Sequence, residues 1–483
     1  MPDEMEHFYY IFNARGWIDG KVQSDENSYR ATNKVTKGPR MCIITGKIGE
    51  EENKRVKIHV GFLGLGNIGS GVWQLIQRRH EQLCERDQVD FLIKRVLVRS
   101  LEKPRSVPIE DSVLTTDPQD ILQDSSIELI AEFMGGLEPA RSYLIEALRR
   151  GKTVVTANKV VVSQAWEELN EAARQGGGGL YYEASAAGGI PVIGALNRSL
   201  QANAVSEIMG IVNGTTNAIL TNMAEAGWDY PRALADAQQR GYAEPDPSLD
   251  VGGQDAAYKL AILASLAFGQ RVRVEDIYCE GITRITREDI QYGQSLGLTL
   301  KLMAIGRVEN GTLQVRVHPT FIPDKHPMAT VRGAFNAIYL KGDAAGEIML
   351  YGRGAGAMPT ASAVVSDMVV AACCGGHHER PAFLEPTARR AGIPLTANWK
   401  TAYYIHIRVK DEPGALGAFS SVLGSHGVSL RQVIQLGQGS GTVPIVVITH
   451  PAGETALRAA VDEMALLDVV DQVVNVIRVE KEA

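Results

Sequence analysis

Apolar and polar positions follow two different rhythms along this chain, and the change from one to the other marks its organisation. From residue 56 the pattern is β then α. Residues 57–63 read as a short apolar strand, a glycine turn follows, and residues 72–84 have helical spacing. Residues 91–98 and 127–132 read as strands, 141–150 as a helix and 153–156 as another strand. Strands alternating with helices predict an α/β fold with a doubly wound parallel sheet of the Rossmann type.

Past residue 180 the rhythm changes. A strand-like stretch at 205–212, helices around 218–226 and 255–268, and β-rich segments over 301–350 predict a second, mixed α/β domain. The C-terminal stretch predicts strand 402–409, helix 415–425, strands 429–436 and 442–449, helix 455–466 and strand 469–479, with a turn at Asp411-Glu412-Pro413-Gly414. That order, βαββαβ, is ferredoxin-like. The expected divisions are an N-terminal extension over 1–55, a Rossmann-type domain over 56–182 to which 352–374 returns, a mixed domain over 183–351, a linker over 375–400 and a separate unit over 401–483. Gly375-Gly376, Pro381, Pro386 and Pro394 mark the linker. Residues 1–55 lack clear periodicity, although Tyr9-Tyr10-Ile11-Phe12 is an apolar cluster and Met41 is an alternative start.

Composition narrows the partners. At 483 residues the chain exceeds one ordinary core. Its net charge of -7 argues against nucleic acid, which needs a basic face. Small molecules and other subunits are the expected partners. Five cysteines at no repeated spacing argue against a disulfide framework, and neither a secretory segment nor a bilayer-spanning apolar run is present, so the cytoplasm is expected.

Two constellations carry chemistry. The turn Gly64-Leu65-Gly66-Asn67-Ile68-Gly69 stands between a strand and a helix, where glycines allow backbone amides to approach a pyrophosphate on the helix N-terminus. The second strand ends Val98-Arg99-Ser100, without the acidic residue that binds the ribose 2′-hydroxyl of NAD. Arg99, with Lys103 or Arg105, suits a 2′-phosphate, which favours NADP over NAD; solvated surface cations are the bland alternative. The second constellation is the acidic loop Gly241-Tyr242-Ala243-Glu244-Pro245-Asp246-Pro247-Ser248-Leu249-Asp250, running into a helix with Asp255 and Lys259 one turn apart. A plain surface ion pair would be worth about 0.2–0.5 kcal/mol. The helix continues Leu260-Ala261-Ile262-Leu263, apolar nearly all round, so its start lies against a buried surface and Lys259 is a candidate proton donor.

The chain resembles homoserine dehydrogenase in its longer form with a C-terminal ACT domain. The resemblance covers about residues 57–480 and rests on the Gly61–Gly71 turn, Thr156-Ala157-Asn158-Lys159, Glu183-Ala184-Ser185-Ala186-Ala187-Gly188-Gly189-Ile190-Pro191, Asn213-Gly214-Thr215-Thr216-Asn217, the Gly241–Lys259 block and Gly352-Arg353-Gly354-Ala355-Gly356. It implies reduction of L-aspartate 4-semialdehyde to L-homoserine with NADPH or NADH, in threonine, methionine and isoleucine biosynthesis. It assigns 183–351 to catalysis and dimerisation, Lys259 to proton donation and Asp255 to holding that lysine. Glu244 and Asp250 then bind the substrate amino group, and Lys159 meets both cofactor and substrate. Gly64, Gly66, Asn67, Ile68, Gly69, Arg99, Gly241 and Gly356 fall to the cofactor. Glu183, Ala186, Gly188 and Ile190 match a sodium site, for which the alternative is a turn whose glycines serve conformation alone. The ACT resemblance implies a homo-oligomer, a dimer or tetramer, controlled by an amino-acid effector such as threonine; a purely structural dimerisation module is the alternative.

Two patches are expected to carry no chemistry. Cys373-Cys374-Gly375-Gly376-His377-His378 lacks a second ligand pair at metal spacing, and Gly176–Gly179 reads as a loose loop. Two other functions stay in view: the same fold acting on another small oxo acid or aldehyde, and a non-catalytic amino-acid sensor. Retention of Lys159, Glu244, Asp255 and Lys259 together argues against the sensor.

Overall fold

The apolar run after residue 55 forms the strand Val56–Leu63, and the turn behind it opens the helix Asn67–Arg86. The computed structural model describes residues 55–373, 392–435 and 441–480, together with the short antiparallel pair Phe12–Asn13 and Gly16–Trp17. The rest of the N-terminal extension, including most of its aromatic cluster, lies outside the described residues, as do Cys374–His378 and the first part of the expected linker.

Among the described residues, six strands form a parallel sheet in the order Leu114–Thr115, Val89–Leu97, Val56–Leu63, Leu129–Glu132, Thr153–Thr156 and Leu180–Tyr181. Every neighbouring pair in it is parallel. In chain order this is 3-2-1-4-5-6, the doubly wound arrangement whose strand order reverses beside Val56–Leu63, and folds of this order take their ligands at that reversal, outside the carboxyl ends of the strands. Leu129–Glu132 and Thr153–Thr156 are buried throughout, as strands covered by helices on both faces must be. The helix Ala357–Cys373 comes back to this sheet, its Ala361, Val364, Met368 and Ala371 sharing one core with Val60, Phe62, Val72 and Ile76.

The second sheet runs Gly346–Arg353, Phe335–Gly342, Val205–Ile211, Leu298–Glu309 and Thr312–Pro323, with antiparallel pairing throughout. Its longest hairpin turns on Asn310 and Gly311 at φ 51° and 76°. Two consecutive left-handed residues are what a type I′ turn demands, and Asn-Gly is the sequence that adopts it most readily. The helices Gly214–Glu225 and Gln254–Phe268 cover this sheet; in the latter, Leu260, Ala261, Ile262, Leu263 and Ala264 are almost wholly buried.

The C-terminal stretch folds as Lys400–Lys410, Ala415–Ser425, Leu430–Gln435, Thr442–Thr449, Glu454–Met464 and Val470–Val479, an antiparallel sheet backed by two helices in the ferredoxin-like order. It does not stand apart from the body. Val470–Val479 pairs with Thr312–Pro323 through Thr320↔Arg478 and Phe321↔Val479, so the two sheets are continuous. The described end of the expected linker is also docked: Leu313 donates its amide to the Pro394 carbonyl at 2.8 Å, the Thr396 amide donates to Leu313 at 3.0 Å, and Trp399 is buried.

Buried charge crosses this junction. Glu480 binds Arg316 at 2.8 Å and Arg307 at 2.7 Å, and Asp289 receives the Tyr404 hydroxyl at 3.1 Å, with His406 Nδ1 at 2.8 Å and Asn475 beside it. Asp289 also caps its own helix, Arg287–Ser295, by accepting from the Thr286 amide and hydroxyl. One carboxylate therefore fixes a helix start and three side chains of the C-terminal unit.

Candidate active site

The helix Gln254–Phe268 begins after Gly253, at φ 89°, where a Cβ would come within 3.0 Å of Cys279 Sγ. Asp255 sits in the first turn, where the helix dipole favours an anion, and Lys259 stands one turn later on the same face. Both are buried, at 6% and 9% exposure. The Lys259 ammonium donates to Asp255 Oδ2 at 2.8 Å and to the Val212 carbonyl at 2.7 Å, which anchors it on two sides.

Lys159 reaches the same carboxylate from the other domain. It opens the helix Lys159–Gln164, capped by Asn158, whose side chain accepts from the Val161 amide at 3.2 Å. Asn158 in turn donates to the Gly136 carbonyl at 2.8 Å, and the buried Glu132 takes the Thr156 hydroxyl at 2.6 Å. The ends of two neighbouring Rossmann strands are thereby knitted together under Lys159. Its Nζ lies 3.0 Å from Asp255 Oδ1, with more than a third of the side chain exposed.

Asn213 completes the cluster, donating to both Asp250 Oδ1 and Asp255 Oδ2 at 2.8 Å while its own oxygen accepts from the Thr216 amide at 2.8 Å. A single amide thus caps the helix Gly214–Glu225 and aligns two carboxylates. Thr215 binds the Tyr242 carbonyl at 2.6 Å, tying the loop after Gly241 to the same place.

Charge sets the protonation states. Burial acts to raise Asp255, but Lys259 and Lys159 outweigh it and hold its carboxyl well below the usual carboxylate range. Burial acts to lower Lys159, yet Asp255, Asp250 and Glu244 keep its ammonium raised. Asp250 is raised by burial and by Asp255 beside it. The cluster therefore holds two lysines around one firmly ionised carboxylate, with Glu244 exposed and close enough to act on Lys159.

On the nucleotide side, Gly64 stands at φ 103° and a Cβ on Gly69 would lie 2.8 Å from the Gly64 carbonyl, so neither position accepts a larger residue without movement. Nothing lies within 4 Å of a Cβ built on the exposed Gly66, which leaves open space over the helix start where Asn67 and Ile68 follow. Arg99 and Ser100 are exposed just beyond Val89–Leu97, with the Arg105 guanidinium on the Ser100 carbonyl. Gly241 and Gly356 both hold positive φ, 73° and 112°.

Glu183 spends its carboxylate on the amides of Ile193 at 2.8 Å and Gly194 at 2.6 Å. Ala186 lies in the short helix Ala184–Ala187, Gly188 packs so closely on Gly354 that a Cβ would meet its carbonyl at 2.2 Å, and the Ile190 carbonyl accepts from Val192 at 2.8 Å.

Lys159, Asp250, Asp255 and Lys259, singled out in the sequence, thus meet in one cluster. Asn213, which joins two of them, carries no chemical signal in the sequence beyond its motif, and neither do Glu132, Asn158 and Thr215. The cap signal of Asn213-Gly214-Thr215-Thr216 was available locally; its contacts 37 and 42 residues away were not.

Residues 64–183 match the family described as homoserine dehydrogenase, NAD binding domain, and residues 191–369 match homoserine dehydrogenase. The chain is 44% identical over 432 residues to the homoserine dehydrogenase of Synechocystis sp., covering 87% of this chain and 99% of that protein. Against the homoserine dehydrogenase of Bacillus subtilis it is 40% identical, covering 88% and 98%. The solved homoserine dehydrogenase of Thiobacillus denitrificans superposes with a TM-score of 0.81 at 38% identity, over 88% of this chain and 98% of that one. A hyperthermophilic archaeal homoserine dehydrogenase solved in complex with NADPH superposes at 0.57 with 25% identity, over 66% and 98%. Matches across both the nucleotide-binding sheet and the lysine cluster, and over nearly the full length of these relatives, place the chain in the homoserine dehydrogenase family.

Proposed function

We propose that the chain reduces L-aspartate 4-semialdehyde to L-homoserine, and that Lys259 is the proton donor. The observation that carries this reading is the buried Lys259 held between Asp255 and the Val212 carbonyl. An ammonium has three N–H groups, and these two contacts leave one for a substrate oxygen. A bound nicotinamide supplies the hydride. The reduced carbonyl oxygen then needs a proton, and the Lys259 amine is held by two contacts and shielded from bulk water. Lys159, more exposed, is placed to hold the substrate carboxylate or orient the carbonyl. Glu244 and Asp250 offer anions for the α-amino group. Purified protein should oxidise homoserine, and Lys259→Ala should abolish that; a panel of other alcohols turned over equally well would move the assignment to another small substrate.

NADP is the preferred cofactor in this reading, with Gly64, Gly66, Asn67, Ile68 and Gly69 cradling the pyrophosphate and Gly241 and Gly356 nearer the nicotinamide. Its support is the exposed Arg99, with Ser100 where an acidic residue would favour NAD. A sodium ion at Glu183, Ala186, Gly188 and Ile190 would be held by carbonyl and carboxylate oxygens, the Glu183 carboxylate being oriented by the two amides it accepts from. Oxygen ligands of that kind suit a hard cation. The C-terminal unit is read as an ACT domain that pairs with a second copy and answers to an amino acid such as threonine. Its edge strand Leu430–Gln435, with Val433 exposed, supports that pairing.

A further inference from the structure

On the outer flank of the nucleotide-binding sheet, away from the lysine cluster, three side chains of different chemistry converge. His80 and Cys84 are one turn apart on the helix Asn67–Arg86, and so share a face. Asp90 comes from the strand Val89–Leu97, which follows the helix after a two-residue connection with Gln88 at φ 57°. His80 Nε2 lies 3.0 Å from Asp90 Oδ1 and 3.6 Å from Cys84 Sγ. The three donor atoms all lie within 4.8 Å of one another.

We propose that His80, Cys84 and Asp90 form a binding site for a divalent transition metal ion of the zinc type. The separations carry this. With metal–sulfur bonds of about 2.3 Å and metal–nitrogen or metal–oxygen bonds of about 2.0–2.1 Å in a tetrahedron, a sulfur and a nitrogen ligand stand about 3.6 Å apart and a nitrogen and an oxygen about 3.3 Å. The observed 3.6 Å and 3.0 Å are close to those values, and the sulfur and carboxylate oxygen, within 4.8 Å of each other, would close toward about 3.6 Å around a bound ion. Imidazole, thiolate and carboxylate together select a borderline ion; a hard cation such as magnesium would not seek the sulfur. Three protein ligands leave the fourth position to water, and His80, with about half of its side chain exposed, gives the ion its way in. Binding replaces the Cys84 thiol proton with the metal.

The site is remote from catalysis. Cys84 lies 17 residues beyond Asn67 along one helix, about 26 Å at 1.5 Å per residue. A metal here would staple the last turn of the helix that carries the cofactor turn to the strand that leads to Arg99. Its expected effect is on stability, through preferential binding to the folded chain.

Titrating the full chain with Co(II) tests this directly. The expected result is a sulfur-to-cobalt charge-transfer band in the near ultraviolet that saturates at one equivalent and is displaced by Zn(II). It should disappear in Cys84→Ser and in His80→Gln, and persist in the double variant Cys373→Ser/Cys374→Ser, which removes the other thiol pair. His80 is on the surface, so His80→Gln folds even if loss of the buried Cys84 thiol disturbs packing. Zn(II) should raise the melting temperature of the wild-type chain and leave that of His80→Gln unmoved, with homoserine turnover equal in both. Absence of the band, or a band that survives His80→Gln, overturns the proposal.

Discussion

Lys159 and Lys259 lie on the two oxygens of one carboxylate: Asp255 Oδ1 is 3.0 Å from the first ammonium and Oδ2 is 2.8 Å from the second. The first lysine belongs to the nucleotide-binding domain and the second to the mixed domain, so Asp255 fixes their separation and, with it, the distance between the two halves of the site. Bringing two cations together costs Coulomb energy that a neutral residue at position 255 could not offset.

Asp255→Asn should therefore damage turnover more than it damages cofactor binding. An asparagine keeps the shape but removes the charge, leaving Lys259 buried beside an amide. We expect kcat for homoserine oxidation to fall about 10²- to 10⁴-fold, the range for a displaced acid–base group. Cofactor affinity, measured by quenching of protein fluorescence, should change little. A variant with wild-type kcat would show that the carboxylate does not position Lys259.

The two lysines should separate kinetically. Lys259→Met removes a buried donor held by Val212 and Asp255, and should lower kcat about 10²- to 10⁴-fold with a small change in KM. Lys159→Met removes a more exposed cation, and should act mainly on the KM for homoserine. Steady-state kinetics of both variants decides the roles; the opposite pattern would exchange them.

Arg99 gives a test of cofactor choice. One charge-assisted hydrogen bond is worth about 1.5–3 kcal/mol, so Arg99→Ala should raise the KM for NADP about 10- to 100-fold and leave that for NAD nearly unchanged. Equal effects on both cofactors would mean that Arg99 meets a part they share.

What the sequence disclosed and what it did not divide along the range of the contacts. The Gly64 turn and the Asp255–Lys259 pair were legible because strand, turn and helix follow one another directly, and because four residues on a helix fix a face. Asn213 was harder, since its use depends on a fold that brings residues 213, 250 and 255 together. The junction with the C-terminal unit was not legible at all. Glu480, Arg316 and Asp289 look in sequence like the solvated charges of strands and helix starts, and the pairs they make span 115 to 186 residues. The last segment therefore read as a separate domain, whereas Thr320↔Arg478 and Phe321↔Val479 make its sheet continuous with the central one.

That junction should be sensitive to acid in a way that depends on Glu480. Burial acts to raise its carboxyl, but Arg307 and Arg316 outweigh burial and hold it well below the ordinary 4.5. A carboxyl depressed in the folded state adds stability that is fully present above its unfolded value and is lost as the pH falls below about 4.5 toward the folded one. Glu480→Gln leaves two arginines without their shared anion, and should destabilise the chain near neutral pH by about 3–5 kcal/mol. The gap between wild type and variant in urea midpoint should then narrow as the pH drops below 4.5, because the unfolded wild-type chain takes up a proton at this carboxyl that the folded chain does not, while the glutamine has nothing to titrate. A gap that stays constant over that range would mean that the buried ion pair does not contribute through its charge.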